Sequence, residues 1–164
     1  MNGTKLNREI RATLAFVLIF GFTACTTTKT VVVSPERCAV GKNPTTDGAY
    51  LRTDDGVELW YKKAGNPKGP VVIYLHGGPG YNSYAFEKAA GALLEQRLQM
   101  VYLDQRGCGR SWFEGHPEKL GIGPTIEDIE RLRKKLGAPQ ISLIAHSFGG
   151  LMALEYVKAH PYQD

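Results

Sequence analysis

Apolar residues form three runs between residues 71 and 145 of this chain, and each run has the length of a strand. Apart from Ser142 these runs contain no polar residue, and such runs are typical of strands buried on both faces of a parallel sheet. The predicted strands cover residues 71–75, 100–103 and 141–145. Between and after them the spacing of apolar residues changes to that of helices.

The first and last of these helices follow directly from the pattern. A helix is predicted over 83–98, and another over 147–159, which stops before His160 and Pro161 because a residue preceding proline disfavours the helical conformation. One apolar stripe of the first helix would face the sheet. It consists of Phe86, Ala89, Ala90, Leu93 and Leu94.

The middle helix follows an irregular stretch over 107–124. Thr125 is predicted as its N-cap, with the acidic Asp128 three residues on, and Gly137 as its end. Near that end Arg131, Arg133, Lys134 and Lys135 form a basic cluster, which we interpret as a solvated helix face opposing the negative end of the macrodipole.

Two shorter segments rich in β-forming residues precede the three buried strands. Residues 49–53 and 57–63 are separated by the turn 54–56 and predict an antiparallel hairpin. A hairpin followed by alternating strands and helices predicts an α/β fold with a mainly parallel sheet. This domain is expected to cover residues 48–164.

The N-terminus has the pattern of a secretory signal. Lys5, Arg8 and Arg11 precede an apolar run over 12–22, which is shorter than the roughly 20 residues that a membrane-spanning helix needs. Residues 22–25, Phe-Thr-Ala-Cys, resemble a bacterial lipobox. The resemblance implies that residues 1–24 are removed, that Cys25 is acylated and anchors the protein to a lipid bilayer, and that 25–47 form a flexible linker.

The expected location is therefore the bacterial cell envelope. Thr26 is not the aspartate that resembles an inner-membrane retention signal, so the periplasmic side of an outer membrane is favoured over the outer face of the cytoplasmic membrane. An ordinary cleaved signal or a retained short anchor are the alternatives. Removing residues 1–24 lowers the formal charge from +4 to +2, which gives no reason to expect a nucleic-acid partner.

Two glycine-rich motifs follow the first two buried strands. His76-Gly77-Gly78-Pro79-Gly80 comes after 71–75, where glycines let backbone amides approach a substrate. The second motif, Asp104-Gln105-Arg106-Gly107-Cys108-Gly109-Arg110-Ser111, comes after 100–103. Asp104, Arg106 and Arg110 are interpreted as residues that hold the loops around a site and take no part in chemistry. Whether Cys108 pairs with Cys38 does not follow from the sequence.

A third motif, Ala145-His146-Ser147-Phe148-Gly149, lies between the last strand and the last helix. A serine at such a sharp turn exposes its hydroxyl, and small residues two before and two after it let strand and helix pack closely. Ala145 and Gly149 meet that requirement. We therefore predict that Ser147 is a nucleophile.

Together the three motifs resemble the proline iminopeptidase family of α/β-hydrolases, which has them in this order. The resemblance implies a serine aminopeptidase that releases N-terminal proline or a similar residue from peptides or small-molecule substrates, without a metal or another cofactor. Ser147 would be the nucleophile, and the amides of Phe148, Gly78 and Gly77 would bind the oxyanion. The remaining motif residues would be structural: His76, Pro79, Gly80, Asp104, Arg106, Gly107, Gly109 and Arg110.

A serine nucleophile also needs a base and an orienting carboxylate. The residues after Ser147 that could serve are Glu155, His160, Tyr162 and Asp164. His160 would lie about 20 Å along the helix from Ser147. We interpret His76 as part of the oxyanion loop, and His146 is expected to point away from the nucleophile.

We therefore expect a fragment of a longer hydrolase that lacks the triad acid and histidine, is inactive alone, and leaves an open sheet edge prone to pairing or aggregation. An esterase or lipase on the same fold is the first alternative. A non-catalytic short lipoprotein that serves as an interaction module is the second. Epoxide hydrolases and dehalogenases are disfavoured because they have aspartate at the elbow.

Overall fold

The computed structural model describes residues 47–111 and 117–161. The predicted signal and nearly all of the predicted linker lie outside these ranges. Five strands form one mixed sheet in the order β1-β2-β4-β3-β5. Their bounds are Ala49–Arg52 for β1, Glu58–Gly65 for β2, Val71–Leu75 for β3, Gln99–Leu103 for β4 and Ser142–Ala145 for β5.

The strand pairing confirms the predicted α/β architecture. β1 and β2 are the antiparallel hairpin, with Tyr50 opposite Trp60, and β2 also pairs antiparallel with β4. β3 runs parallel to both β4 and β5. Because β3, β4 and β5 point the same way, their carboxyl ends meet at one edge of the sheet, where the three sequence motifs begin.

Helices cover both faces of the sheet. On one face are α1 (Tyr84–Phe86), a π-helical segment (Glu87–Gly91) and α2 (Ala92–Leu94); on the other are α3 (Ile122–Lys135) and α4 (Phe148–Ala159). A short 3₁₀ turn spans Pro117–Lys119. In the two described ranges no helix is long and apolar enough to cross a membrane.

Two apolar clusters, one on each face, hold the layers together. The larger joins Ile73, Leu75, Val101 and Leu103 of the sheet to residues of α3 and α4, including Ile129. The smaller lies under α1 and α2. It is formed by Trp60, Val72, Tyr74, Met100 and Tyr102, and Tyr74 stacks on Phe86 with 3.8 Å between ring centroids.

The helix predicted over 83–98 ends earlier, at Leu94, and of its predicted apolar stripe Phe86 and Leu94 pack on the sheet. Phe86 packs on the sheet, but the next residue buried there is Gly91, five positions on, which is the spacing of the π-helical segment. A Cβ on Gly91 would lie 2.7 Å from the Tyr102 hydroxyl oxygen, so this close approach requires glycine. The stripe is shifted as a result, Ala89 is exposed, and Leu93 is 73% exposed.

The predicted start of the middle helix is also wrong. α3 begins at Ile122 with Gly121 in the N-cap position, and Thr125 lies inside its first turn. The Thr125 hydroxyl donates to the Gly121 carbonyl oxygen at 2.7 Å, and Asp128 pairs with Arg106 of the second motif. The predicted end is confirmed, because Gly137 follows the helix with φ +66°.

Candidate active site

Ser147 lies at the sharp turn where β5 meets α4. Its backbone has φ 50° and ψ −119°, and it is the one non-glycine residue with positive φ in the described ranges. Such a conformation costs of the order of 1–3 kcal/mol and persists only where the surroundings impose it. The neighbouring backbone does so: the His146 N–H donates to the Leu75 carbonyl oxygen at 3.0 Å, and the Gly150 N–H donates to that of Ser147 at 2.8 Å.

Close packing of α4 on the end of β3 explains the glycine after the turn. A Cβ on Gly149 would lie 2.3 Å from the Leu75 carbonyl oxygen and 2.8 Å from that of His76. Both obstacles are backbone atoms and cannot rotate away. A side chain at this position would therefore push α4 off the sheet and move Ser147.

The glycine-rich loop after β3 lies directly against this turn. A Cβ on Gly77 would be 2.9 Å from His146 Nδ1 and 3.1 Å from Ser147 Cβ, so the Gly77 backbone is a close neighbour of the serine. The loop then turns through Gly78, Pro79 and Gly80, and both glycines have positive φ. The structure thus brings the first and third motifs together at the carboxyl edge of the sheet.

His76 is buried in this loop, and both of its ring nitrogens are hydrogen-bonded. Nδ1 lies 2.7 Å from the Gly77 carbonyl oxygen, which can only accept, so Nδ1 carries the proton. Nε2 accepts from the Gln105 backbone N–H at 3.0 Å. Burial lowers the pKa of His76, which favours this neutral tautomer.

Gln105 fixes the same loop through its side chain. Its amide Nε2 donates to the His76 carbonyl oxygen at 2.7 Å. In a planar trans peptide the N–H points opposite to the C=O. Since the carbonyls of His76 and Gly77 are held by Gln105 and the His76 ring, the N–H groups of Gly77 and Gly78 are turned the other way. Two backbone donors are oriented in this manner.

Phe148 supplies a further donor beside the serine. It is the first residue of α4, and the first N–H groups of a helix have no acceptor within that helix. The amides of Phe148, Gly77 and Gly78 are those expected to bind an oxyanion. An oxyanion at Ser147 would also benefit from the positive end of the α4 dipole.

Asp104 ties the second motif to the segment that follows the glycine loop. Its carboxylate accepts from the backbone N–H and hydroxyl of Ser83, at 2.9 and 2.7 Å, and from Arg110 Nε at 2.7 Å. Burial raises the pKa of Asp104, but the hydrogen bonds from Arg110 and Ser83 outweigh it, and the pKa lies below its usual range. Arg110 in turn stacks on Trp60, 3.1 Å from the ring centroid.

The two glycines of this motif allow the tight turn around Asp104, and its cysteine contacts the first motif. Gly107 and Gly109 both have positive φ, and a Cβ on Gly109 would lie 2.5 Å from Asp104 Oδ2. Cys108 Sγ accepts a hydrogen bond from the Gly80 N–H at 3.3 Å. The second motif therefore contacts the first at both His76 and Gly80.

Arg106 anchors the other side of the motif in a buried ion pair. Its Nε and Nη2 donate to the two carboxylate oxygens of Asp128, both at 2.6 Å, and Nη1 donates to Asp55 Oδ2 at 2.8 Å and to the Lys119 carbonyl oxygen at 2.9 Å. The side chains of Arg106 and Asp128 are 2% and 1% exposed. One guanidinium thus joins the hairpin turn, the motif loop and α3.

No base is hydrogen-bonded to the Ser147 hydroxyl in the described part of the chain. His160 is the C-cap of α4, where its ring lies 5.0 Å from that of Tyr156 at an interplanar angle of 37°, and Glu155 pairs with Lys158 on the helix surface. Tyr162 and Asp164 lie outside the described residues, as does Cys25. In residues 47–111 and 117–161 no cluster of three or more potential ligands could hold a metal ion.

Comparison with known proteins agrees with this geometry. A family model described as the alpha/beta hydrolase fold matches residues 70–163. The chain belongs to the α/β-hydrolase family. A proline iminopeptidase from Clostridioides difficile is 40% identical over 104 residues, which are 62% of this chain and 35% of that protein. One from Neisseria gonorrhoeae is 34% identical over 112 residues, 68% of this chain and 36% of that protein.

Solved structures have a similar fold. A proline iminopeptidase-related protein from Thermus thermophilus is 35% identical, with a TM-score of 0.65 over 70% of this chain and 41% of that chain. An epoxide hydrolase from Vigna radiata is 26% identical, with a TM-score of 0.62 over 70% of this chain and 36% of that chain. The chain spans about a third of the length of the curated relatives named above.

Sequence reasoning missed three residues that shape this hydrolase site. Gln105 lies within the second motif, but nothing in its residue type indicates a clamp on His76. The sequence pattern places Ser83 and Asp128 in helices but does not indicate that Ser83 donates to Asp104 or that Asp128 accepts from Arg106. The three charged residues of the second motif, Asp104, Arg106 and Arg110, are the available signal, since buried charges require partners.

Proposed function

We propose that this chain carries the nucleophile and oxyanion-binding part of a serine hydrolase of the proline iminopeptidase type, which releases N-terminal proline or a similar residue from peptides. One observation supports this most strongly: Ser147 is held at positive φ between β5 and α4, with the Gly77 backbone against it. This conformation exposes the hydroxyl at the edge where the backbone donors lie.

In this mechanism Ser147 Oγ attacks the carbonyl carbon of the substrate and its proton passes to a base. The new C–O bond makes a tetrahedral intermediate, whose negative oxygen is bound by the amides of Phe148, Gly77 and Gly78. Loss of one such donor typically slows an enzyme of this kind by about 10² to 10³. The leaving amine takes the proton from the base, and water then releases the acyl group by the reverse steps.

The base and its carboxylate would come from sequence outside the described residues. His76 cannot serve, because both its nitrogens are engaged in holding the loop. His160 and Glu155 are carried away from Ser147 by α4. The relatives named as proline iminopeptidases are about three times as long as the part matched here, which leaves room for those groups.

The choice of a peptidase over other hydrolases is supported by the relatives and by the elbow residue. Relatives that are 34–40% identical are named proline iminopeptidases. The epoxide hydrolases among the structural neighbours are less similar, and the elbow of this chain has a serine where that class is expected to have aspartate. No contact in the described residues favours an esterase.

We further propose that Cys25 is acylated and anchors the hydrolase in the bacterial cell envelope, on the basis of the sequence around residues 12–25. Radiolabelled palmitate supplied to expressing bacteria should label the protein. Cys25→Ala should remove the label and release the protein from the membrane fraction. A label that persists in this variant would contradict the proposal.

Catalysis can be tested with a chimera. Residues 1–164 are joined to the sequence that follows the matched part of the Clostridioides difficile relative, and hydrolysis of proline arylamides is compared with hydrolysis of p-nitrophenyl esters. The arylamides should be preferred. Ser147→Ala should reduce turnover by about 10⁶, the loss typical of a missing nucleophile. Ser142→Ala, on the same strand, should retain full activity.

The unmodified chain provides the second comparison. Without a base it should hydrolyse proline arylamides at the background rate. Enzymatic turnover by this chain, or a Ser147→Ala chimera as active as its parent, would contradict the assigned mechanism. A chimera that cleaves only esters would retain the nucleophile and reject the peptidase assignment.

A further inference from the structure

Gln105 contacts the glycine-rich loop twice, and the two contacts differ in what they require of the residue at this position. The Gln105 backbone N–H donates to His76 Nε2 at 3.0 Å. The Gln105 side-chain Nε2 donates to the His76 carbonyl oxygen at 2.7 Å. Any residue except proline supplies the first contact, because it needs only a backbone N–H. The second contact needs a side chain that carries a donor.

The side-chain contact is buried, and its direction is fixed by chemistry. Gln105 is 5% exposed and His76 is 1% exposed. A carbonyl oxygen can only accept a hydrogen bond, so the amide nitrogen of Gln105 must face it. Loss of this donor would leave a buried oxygen unsatisfied, which is costly and favours rotation of the peptide plane toward another donor.

The peptide plane that contains the His76 carbonyl also contains the Gly77 N–H. The plane is rigid and trans, so the N–H points away from the oxygen that Gln105 holds. The Gly77 backbone lies against the nucleophile, since a Cβ on Gly77 would be 3.1 Å from Ser147 Cβ. Within residues 47–111 and 117–161 the Gly77 N–H is donated to no protein acceptor. The Gln105 side chain therefore determines where this donor points.

The second donor of the loop, the Gly78 N–H, is oriented by a different side chain. The Gly77 carbonyl oxygen, in the same peptide plane as the Gly78 N–H, lies 2.7 Å from His76 Nδ1. The His76 ring is held in turn by the backbone N–H of residue 105. The direction of the Gly78 N–H thus does not depend on the side chain at position 105.

The far end of the loop is also held without the Gln105 side chain. The Gly80 N–H donates to Cys108 Sγ at 3.3 Å. The loop is therefore attached at both ends, through the His76 ring and through Gly80, when the Gln105 amide is removed. We expect such a change to rotate one peptide plane and to leave the rest of the loop in place.

We propose that Gln105 is a positioning residue, whose side chain directs the Gly77 N–H toward the oxyanion at Ser147 and acts on that donor alone. The inference rests on the proposed function for the reaction in which the oxyanion forms. Gln105 acts through the peptide between His76 and Gly77. Because the negative charge on the oxygen develops only in the transition state, a misdirected donor should lower kcat and leave KM nearly unchanged.

The orientation is measured on the full 164-residue chain, labelled with ¹⁵N. Gln105→Met keeps the length of the side chain and removes its donor. Residual dipolar couplings report the directions of the Gly77 and Gly78 N–H bonds relative to β3. The Gly77 coupling should change in this variant and the Gly78 coupling should not.

Thr125→Val is the matched control. It removes another hydrogen bond from a side chain to a backbone carbonyl oxygen, that of Gly121, which is also 2.7 Å long. Thr125 lies in α3, so the variant should leave the couplings of both loop glycines unchanged. If Gln105→Met does not fold, Gln105→Glu replaces it, since Glu has the same length and a carboxylate cannot donate.

Catalysis is measured on the chimera described above, with proline arylamides. Gln105→Met should lower kcat at least about tenfold, up to the 10² to 10³ typical of a lost oxyanion donor, with KM within about twofold of the parent. Thr125→Val should retain both constants. A Gln105→Met chimera with the kcat of its parent would overturn the proposal, as would an unchanged Gly77 coupling or an equal loss of kcat in Thr125→Val.

Other outcomes separate this inference from the proposed function. If Ser147→Ala abolishes arylamide hydrolysis and Gln105→Met does not affect it, the positioning role is overturned and the serine peptidase stands. If the chimera cleaves only p-nitrophenyl esters and Gln105→Met slows that reaction, the positioning role is supported and the peptidase is rejected. If the chimera is inactive, the Gly77 and Gly78 couplings of the 164-residue chain decide the positioning role by themselves.

Discussion

At the scale of single residues, relief of the backbone strain at Ser147 should raise the free energy of unfolding measurably. Its φ of 50° and ψ of −119° favour glycine, so Ser147→Gly should raise the free energy of unfolding by about 1 kcal/mol after the added backbone entropy is subtracted. Ser147→Ala loses the same hydroxyl but keeps Cβ, and should change stability by less than about 0.5 kcal/mol. Urea unfolding of the two variants distinguishes strain from lost polar contacts. Equal stabilities would refute the strain argument.

The two glycines after the elbow make a second matched pair. Gly149→Ala would place a Cβ against the Leu75 and His76 carbonyl oxygens, and should lower the free energy of unfolding by about 2 kcal/mol. Gly150 has open space around it, so Gly150→Ala should be neutral or stabilise by up to about 1 kcal/mol. Both positions are in the first turn of α4, so helix propensity contributes equally. If both substitutions shifted the urea midpoint in the same direction relative to the parent, this reasoning would be contradicted.

Residue types alone predict part of this site and omit another part. The serine, the small residues around it and the glycine loop are recognisable because their chemistry requires those residues at those spacings. Gln105 is not recognisable, since its function depends on a His76 carbonyl that lies 29 positions away in sequence. Long-range partners of this kind are determined by sheet order, which local patterns do not contain.

At the scale of elements, the contact between α3 and α4 should make stability depend on acid. The Arg133 side chain, above all, lowers the pKa of Glu130 to about 2 against burial, and the Tyr156 hydroxyl adds to the lowering. The stabilisation is complete above the unfolded value of 4.5 and is lost as the pH falls toward 2. Glu130→Gln should therefore be less stable than the parent near pH 6 and should approach it near pH 2. Urea unfolding across this range measures the difference.

Tyr156→Phe is the control for this prediction. It removes one hydrogen bond to Glu130 and leaves the Arg133 ion pair intact. The free energy of unfolding should therefore change less with pH than in the parent, but should still decrease as the pH falls. The assigned pKa would be contradicted if Glu130→Gln and the parent differed by the same free energy of unfolding at pH 6 and at pH 2.

Element positions follow the sequence pattern where one period dominates. β3 and β4 lie as predicted because their apolar runs are continuous. The segment after β3 departs from the prediction because Gly91 must face Tyr102, which a regular helical stripe does not allow. α3 starts before Thr125 because that hydroxyl bonds back to Gly121 and Asp128 binds Arg106, so neither residue acts as a cap.

At the scale of the whole molecule, the Arg106 ion pair connects parts that are distant in sequence. Arg106→Met would leave the buried Asp128 carboxylate with only the longer contact to Arg131, and should lower the free energy of unfolding by about 3–5 kcal/mol. Adding Asp128→Leu should recover much of this loss. Arg131→Met, at an arginine that is partly exposed and 3.4 Å from the same carboxylate, should cost less than about 1 kcal/mol. Denaturant titrations of the three variants measure these free energies. A double mutant no more stable than Arg106→Met would contradict the prediction.

The α/β class and the order of elements could be predicted for the whole domain, because a hairpin followed by alternating strands and helices has few compact solutions. The position of β4 between β2 and β3 could not be predicted in this way. It depends on which strands share apolar neighbours, such as Val72 opposite Met100, and that pairing is a property of the folded sheet.

The neutral ring of His76 bears on the kinetics of the proposed hydrolase. Burial lowers the pKa of His76, so its ring stays neutral at pH values at which a solvent-exposed histidine is already protonated. The loop that His76 holds therefore keeps its shape as the pH falls through that range. Loss of rate on the acidic side of a pH profile would then be due to the catalytic base alone, with the oxyanion site still formed. The acidic side of the profile of rate against pH should accordingly fit a single ionisation. Over the same pH range, the affinity for a neutral transition-state analogue should not change.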